Sequence, residues 1–356
     1  MGDMVKGNVA MAEAALRGGM QIFCGYPLTP STEILETLSS RAAEEGRVFI
    51  QAESEVSAIT MIYGAASTGA KALTATSGLG MSLKQEGIAY LSQFEFPAVL
   101  INVVRYGDGL GYLLSGQTDY LRETRGGANG DYRNIVLSPS SVQEACDLVY
   151  ESFDLAQKYR SLVVILTEGS LGQMMEDCDY PPYKEVKFAQ WGMDGTNAPE
   201  NENPDHFNND AHARTKRMNA KRAMMREELQ RWESAYVEDA DYVFVAYGLP
   251  GRVVKGLVRQ LRSQGEKVGF IRPISLWPFP EKAFAEVNPN VKGYITVENN
   301  DEGQMNEDIA IYGRKHNSGH ENVPVYTIAT GVGVPTRKEV NEMFDAIKSG
   351  EMKEVF

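Results

Sequence analysis

Between Met20 and Thr32 the chain runs MQIFCGYPLTPST. The apolar run Ile22–Cys24 has the length of a buried strand, and Gly25 followed by two prolines ends it. Pro27 and Pro30 each fix φ and so hold a turn. A helical pattern resumes over 31–45, with Ser31 placed as N-cap and acidic Glu33 in the first turn. A strand that passes through such a turn into a helix is one βα unit. In open α/β sheets ligands bind outside strand ends of this kind. The hydroxyls here stand beside backbone N–H groups, a cradle for a carboxylate or phosphate; a plain capped turn reads equally well from composition.

The same alternation continues on both sides. An amphipathic helix over 8–19 precedes the stretch. RVFIQAE (47–53) is a strand, EVSAITMIYGAASTGA (55–70) a helix of small residues, and KALTATSG (71–78) a strand ending in a Gly-rich turn. MSLKQEGIAYLSQF (81–94) reads as one helix, PAVLINVVR (97–105) and IVLSP (135–139) as strands, 141–159 as a helix and LVVILTE (162–168) as a strand. Strands alternating with helices of this length build a buried, doubly wound parallel sheet of the α/β class. From 181 the character changes to an Asn/Pro/Asp-rich linker (197–210) and a charged helix (211–232). A second α/β unit follows, with strands at 241–248, 267–273 and 294–300, a helix over 251–265 and a closing helix from 336. The expected division is 1–195, a linker with its helix over 196–234, and 235–356.

The 356 residues carry a formal charge of −13, with 43% hydrophobic and 23% charged side chains. That balance disfavours a nucleic-acid or anionic-membrane surface. No apolar run is long enough to span a bilayer, and the N-terminus lacks the pattern of a secretory leader, so a cytoplasmic protein is expected. Cys24, Cys146 and Cys178 are scattered with no CxxC, so this chain offers no thiolate set for an iron–sulfur cluster or zinc. Of the four histidines only His316 and His320 have helical spacing, across loop-like NSG, and no metal site is read here.

Four stretches carry candidate chemistry. The first is the turn 26–32. In the second, Gln51-Ala52-Glu53-Ser54-Glu55, the two carboxylates are either N-cap acids or include one buried Glu facing a ring nitrogen of a cofactor. Thiamine diphosphate needs such a group, because its aminopyrimidine must reach the imino tautomer. Thr74–Gly80 (TATSGLG) lets backbone approach a ligand, or is simply a tight turn. Arg105 ends an apolar strand before Gly107-Asp108-Gly109, and suits bidentate capture of a carboxylate. The GDG triplet and Asn134 approximate a thiamine-diphosphate metal motif without its strand–turn–helix context, and are read as coincidence.

With these residues in place a resemblance follows. YPLTPSTEI (26–34), ESE (53–55), TSGLGMSLKQEGIAYL (76–91), GDYRNIVLSPSSVQEACDL (130–148), RPISLWPFP (272–280) and ENNDEGQMNEDI (298–309) resemble, in order, the α subunit of 2-oxoacid:ferredoxin oxidoreductases. The branched-chain (2-oxoisovalerate) type is the nearest subgroup. The resemblance implies a thiamine-diphosphate-binding-type (pyrimidine) domain followed by a transketolase C-terminal-like domain. It implies that Glu55 faces the aminopyrimidine, that Ser77 and Gly78 line the cofactor, and that Thr29 and Arg105 hold the 2-oxoacid. It further implies oxidative decarboxylation with coenzyme A to acyl-CoA and carbon dioxide. A β-type partner would carry the diphosphate–Mg²⁺ site and a [4Fe–4S] cluster, a γ-type partner would help bind coenzyme A, and a ferredoxin-like subunit or acceptor would take the electrons. Such a chain is not a complete enzyme alone.

Two departures bear on the substrate. The subgroup's RGGPGLG stands here as Arg105-Tyr106-Gly107-Asp108-Gly109-Leu110-Gly111, and its Gly-His-Gly-Asp as Ala128-Asn129-Gly130-Asp131. Tyr106 is read either as stacking on an aromatic acyl group or as surface packing. The alternatives are an arylglyoxylate-type subunit passing electrons to NAD through a flavin chain, a degenerate scaffold subunit, and a self-contained thiamine decarboxylase.

Overall fold

Strands β4 (Ala72–Thr76), β5 (Ala98–Val104) and β7 (Leu162–Glu168) are buried along their whole length, as continuous apolar runs in a sheet covered on both faces must be. Each fully buried Val, Leu or Ile among them contributes about 1.5–3 kcal/mol. The computed structural model describes residues 3–193, 210–316 and 322–356. Before β4 come β1 (Asp3–Lys6), α1 (Gly7–Arg17), β2 (Ile22–Gly25), α2 (Thr32–Arg41), β3 (Val48–Gln51) and α3 (Glu55–Ser67). Between β4 and β7 lie α4 (Gly78–Leu83), α5 (Gln85–Gln93), α6 (Tyr120–Arg125), β6 (Ile135–Leu137) and α7 (Val142–Tyr159). After β7 come α8 (Gly169–Gln173) and β8 (Met175–Cys178), which pairs antiparallel with β1.

The second unit has α9 (Ala211–Glu228), β9 (Trp232–Ala235), β10 (Tyr242–Val245), α10 (Gly248–Ser263), β11 (Val268–Pro273) and β12 (Ser275–Trp277). It closes with β13 (Gly293–Glu298), α11 (Asn306–Lys315), β14 (Val325–Ala329) and α12 (Arg337–Ser349). The larger sheet has seven strands in the order β12-β6-β7-β5-β4-β2-β3, all parallel except the antiparallel edge strand β12. The smaller sheet has five, in the order β14-β13-β10-β11-β9. α9 lies along the first unit through Glu95, which accepts from Lys221 at 2.6 Å and Arg217 at 3.1 Å.

Several details differ from the sequence reading. Ser31 sits at the N-cap position of α2 but does not cap; its hydroxyl turns back to donate to the Leu28 carbonyl at 2.7 Å. The helix expected over 81–94 is broken at Lys84, which ends α4 and begins α5. α11 and β14 were not foreseen, and β12, from the second unit, joins the first unit's sheet. The linker reading over 197–210 and His206 and His320 fall almost wholly outside the described residues.

Candidate active site

In the larger sheet the chain leaves β2 toward β3 on one side and returns to β4 on the other, so the order reverses there. The crevice outside the carboxyl ends of β2 and β4 is therefore the switch point at which doubly wound sheets bind ligands. All four candidate stretches converge on it: 26–31 follows β2, Glu53–Glu55 follows β3, Ser77–Gly80 follows β4 and Arg105 follows β5.

The two carboxylates of ESE part ways. Ser54 caps α3, accepting from the Ser57 N–H at 3.2 Å. Glu53 is exposed and accepts from the hydroxyls of Ser57 at 2.6 Å and Ser54 at 3.0 Å, which hold it below the usual carboxylate range. Glu55, the first residue of α3, turns inward to 4% exposure, and its Oε1 is buried with no hydrogen-bond partner among the described residues. Thr76 Oγ1 and Ser77 Oγ are likewise buried and unpaired. Gly80 makes the convergence possible, since a Cβ there would lie 2.3 Å from Thr76 Oγ1, 2.5 Å from Glu55 Oε1 and 2.7 Å from Leu28 Cδ2.

Arg105 is 7% exposed. Its Nε donates to the Thr29 carbonyl at 2.7 Å and its Nη1 to the Leu110 carbonyl at 3.0 Å. No hydrogen bond among the described residues engages Nη2. Burial lowers the guanidinium's pKa and the Glu55 charge raises it, with a net fall. Gly78, at φ +43°, lies against the arginine stem, where a Cβ would come within 3.1 Å of Arg105 Cδ. The structure thus brings Thr29, Glu55, Ser77, Gly78 and Arg105 to one place. Beyond Gly78 a cavity of about 610 Å³ opens toward the second unit, lined also by Ser82, Asp108, Arg122, Asn300 and Asp301.

The two parts of the GDG reading stand at opposite ends of the sheet. Asp108 lies beyond the carboxyl end of β5, whereas Asn134 immediately precedes β6 at the amino end of the same parallel sheet. A seven-residue strand puts the two about 20 Å apart. Among the described residues no group of three or more His, Cys, Asp or Glu could hold a metal ion. The Tyr106 hydroxyl donates to Asp301 of the second unit. Asn129 lines a separate groove with Glu86, Tyr90 and Arg214, sharing no residue with the cavity beyond Gly78.

Among the buried ionisable groups near these strand ends that sequence reasoning missed are Lys84 and Glu168. Lys84 was read as one more residue of an unbroken helix. Glu168, the last residue of β7, is 2% exposed and accepts from Gln117 Nε2 at 2.8 Å and the Leu249 N–H at 3.1 Å, pinning the first unit to the start of α10. Burial pushes its carboxyl up to about 7. Only the closing acid of LVVILTE hinted at it.

Comparison with known proteins places this geometry. Residues 13–242 match the family described as "Pyruvate flavodoxin/ferredoxin oxidoreductase, thiamine diP-bdg", and residues 240–338 match "Pyruvate:ferredoxin oxidoreductase core domain II". The chain belongs to this family. The ketoisovalerate oxidoreductase subunit VorB of Methanothermobacter marburgensis is 43% identical over 319 residues, covering 86% of this chain and 88% of that one. The 2-oxoglutarate synthase subunit KorA of the same organism is 34% identical, covering 85% and 88%. Among solved structures, 2-oxoglutarate:ferredoxin oxidoreductase from Magnetococcus marinus, with 2-oxoglutarate, coenzyme A and succinyl-CoA bound, superposes with a TM-score of 0.82 at 25% identity. That match covers 97% of this chain and 65% of the other. A split-gene transketolase, 12% identical with a TM-score of 0.60, shares the fold.

The protein is therefore a subunit of a 2-oxoacid oxidoreductase, working within a hetero-oligomer, with a thiamine-diphosphate-binding unit and a transketolase-like unit. These relatives do not favour the arylglyoxylate or scaffold alternatives. The site fits the family's cofactor: a buried carboxylate oxygen and two buried hydroxyls, unpaired among the described residues, are the partners an aminopyrimidine would take, and the missing Cβ of Gly80 lets the Glu55 and Thr76 oxygens close in together. No helix among the described residues is long and apolar enough to cross a membrane.

Proposed function

We propose that this chain is the α-type subunit of a cytoplasmic complex that oxidatively decarboxylates a branched-chain 2-oxoacid with coenzyme A, giving acyl-CoA, carbon dioxide and reduced ferredoxin. The observation that carries the reading is the unpaired, buried Oε1 of Glu55 at the sheet's switch point, beside a buried arginine. When bound, thiamine diphosphate supplies the nucleophilic carbon and the electron sink for decarboxylation. Glu55 holds or releases the proton exchanged with the aminopyrimidine ring nitrogen. Ser77 and Gly78 line that ring's pocket.

Arg105 receives the substrate carboxylate on its free edge, while its bonds to the Thr29 and Leu110 carbonyls fix the direction of the fork. Thr29, exposed at the tip of its turn, faces the 2-oxo group. The first unit, to about residue 195, is the pyrimidine-binding half, and the unit from about 235 closes over it. Mg²⁺ with the diphosphate, and the [4Fe–4S] cluster, belong to a β-type partner. A γ-type partner contributes to coenzyme A binding, and a ferredoxin-like subunit or acceptor receives the electrons. The VorB relative, named for ketoisovalerate, supports the branched-chain choice.

The test is a 2-oxoacid panel assayed on the purified native complex with coenzyme A and a viologen dye. Branched-chain 2-oxoacids should give the highest kcat/KM. Glu55→Gln in the assembled complex should lower kcat by about 10²–10⁴-fold. Unchanged turnover in that variant, or the same loss only on changing Glu53, sinks the assignment.

A further inference from the structure

Two prolines leave the turn after β2 short of donors, since neither Pro27 nor Pro30 has an N–H. The turn is held instead by its carbonyls, and three in succession are taken by three different residues. The Leu28 carbonyl accepts from the Ser31 hydroxyl at 2.7 Å and the Ser31 N–H at 2.9 Å. The Thr29 carbonyl accepts from Arg105 Nε at 2.7 Å. The Pro30 carbonyl accepts from Asn8 Nδ2, also at 2.7 Å. Asn8 thus grips the carbonyl next to the one that Arg105 grips, and it reaches there from another element, the start of α1.

Asn8 is fully buried. Its Nδ2 also donates to Glu33 Oε2 at 2.7 Å, in the first turn of the helix that follows Pro30. Glu33 is fixed in turn by Gln173 Nε2 at 2.7 Å and Lys6 Nζ at 3.1 Å. One amide therefore ties both the end of the turn and the start of α2 to α1. The Pro30 ring also lies against Gly169, where a Cβ would come within 3.1 Å of its Cγ. Asn8 Oδ1, by contrast, is buried with no hydrogen-bond partner among the described residues. An unpaired buried acceptor costs free energy that an apolar side chain of similar size avoids. What the amide offers against that cost is its donor side, and both of its bonds converge on this turn.

We propose that Asn8 is a positioning residue for the 2-oxoacid: by holding the Pro30 carbonyl it fixes where Thr29 stands relative to the free edge of Arg105. The inference rests on the reading of Thr29 and Arg105 given above. Thr29 is exposed at the tip, so the backbone rather than packing sets where its hydroxyl stands. Releasing the Pro30 carbonyl frees the peptide that follows Thr29 and loosens its register with Arg105. A misplacement of about 1 Å at groups that orient a substrate can cost as much as about 10²-fold. Glu55, Ser77 and Gly78 stand on other turns, so the aminopyrimidine side should not feel the change.

The experiment uses the native hetero-oligomer carrying Asn8→Ala, Thr29→Val or both. Steady-state kinetics on the 2-oxoacid are set beside calorimetric titration of thiamine diphosphate in excess Mg²⁺. Asn8→Ala should raise KM for the 2-oxoacid by about 10-fold or more, with the thiamine diphosphate dissociation constant within about 3-fold of wild type. The double variant separates positioning from general support. Because Asn8 acts on the placement of Thr29, the combined loss in kcat/KM should fall short of the product of the single losses by about 3-fold or more. An unmoved KM, a full product, or a thiamine diphosphate affinity that drops alongside KM overturns the role of Asn8 and leaves Thr29 in place. Wild-type kinetics in Thr29→Val remove the reading of Thr29 and this inference with it.

Should Asn8→Ala not assemble, Gly172→Ala decides. A Cβ at Gly172, on α8, would come within 2.6 Å of Asn8 Oδ1 and 3.1 Å of its Nδ2, so the added methyl pushes the amide without deleting it. KM for the 2-oxoacid should again rise while thiamine diphosphate affinity is kept. A wild-type KM in Gly172→Ala refutes the positioning role.

Discussion

Arg105 is held by two carbonyls before any substrate arrives, and this decides what a lysine in its place could do. One ammonium cannot hold the Thr29 and Leu110 carbonyls, 2.7 and 3.0 Å from separate guanidinium nitrogens, and also meet both oxygens of a carboxylate. Arg105→Lys should raise KM and lower kcat/KM for every 2-oxoacid by roughly 10–100-fold, the worth of one hydrogen bond to a charged group. Steady-state kinetics on the complex check this, and wild-type constants in the variant would exclude Arg105 as the carboxylate site. At this scale the sequence was readable where chemistry and position coincide. The residues of 53–55 alone left both carboxylates open, and it was the resemblance that pointed to Glu55, the one the fold buries while Glu53 stays exposed. The sequence was not readable for Ser31, a good N-cap by type, because its hydroxyl finds the Leu28 carbonyl first. Nor was it for Lys84, whose inward course depends on Thr74, a partner ten residues away on another element.

Among the elements, the short α4 holds the site together because of one absent methyl group. A Cβ at Gly80 would meet the ends of two side chains, Thr76 Oγ1 at 2.3 Å and Glu55 Oε1 at 2.5 Å. Glu55 can swing aside where backbone could not, so Gly80→Ala should fold and assemble at an overpacking cost of about 1–3 kcal/mol. It should also displace the carboxylate and weaken thiamine diphosphate binding by more than about 10-fold. Calorimetric titration beside thermal unfolding separates the two effects; intact affinity in Gly80→Ala would show that Glu55 does not approach the cofactor from this side. The strands around this turn announced themselves by continuous apolar runs. β1 (DMVK) and β12 (SLW) did not, because each holds only two adjacent apolar residues beside polar ones. The break between α4 and α5 carries no glycine or proline at its joint, so nothing local marks it.

At the level of the whole molecule the two units meet through buried acids rather than through an apolar seam alone, and pH should register this. Among the described residues Glu168 takes its hydrogen bonds from Gln117 and the start of α10 on Oε1, while Oε2 is buried without a partner. Gly248 approaches so closely that a Cβ would sit 2.1 Å from Oε1. Burial raises Glu168 to about 7, and Glu123, on α6, to about 7 as well. A carboxyl whose folded pKa exceeds its unfolded value keeps a proton that the unfolded chain has already released. Stability therefore falls as pH rises between the two values, here from about 4.5 to about 7. At 1.36 kcal/mol per unit, a shift of that size corresponds to roughly 3 kcal/mol for one such group. Glu168→Gln keeps an acceptor for Gln117 and Leu249 and places a neutral amide where Oε2 now lies unpaired. The variant should match wild type near pH 5, exceed it at pH 8, and show a shallower slope between, with Glu123 and the other carboxyls that burial raises, Asp119, Glu298 and Asp308, supplying what remains. Denaturant unfolding of the cofactor-free complex across pH 5–8 measures both slopes. Equal slopes would mean that the charge on Glu168 is satisfied in the assembled protein, and that the units are held at β7 by shape and not by a shared proton.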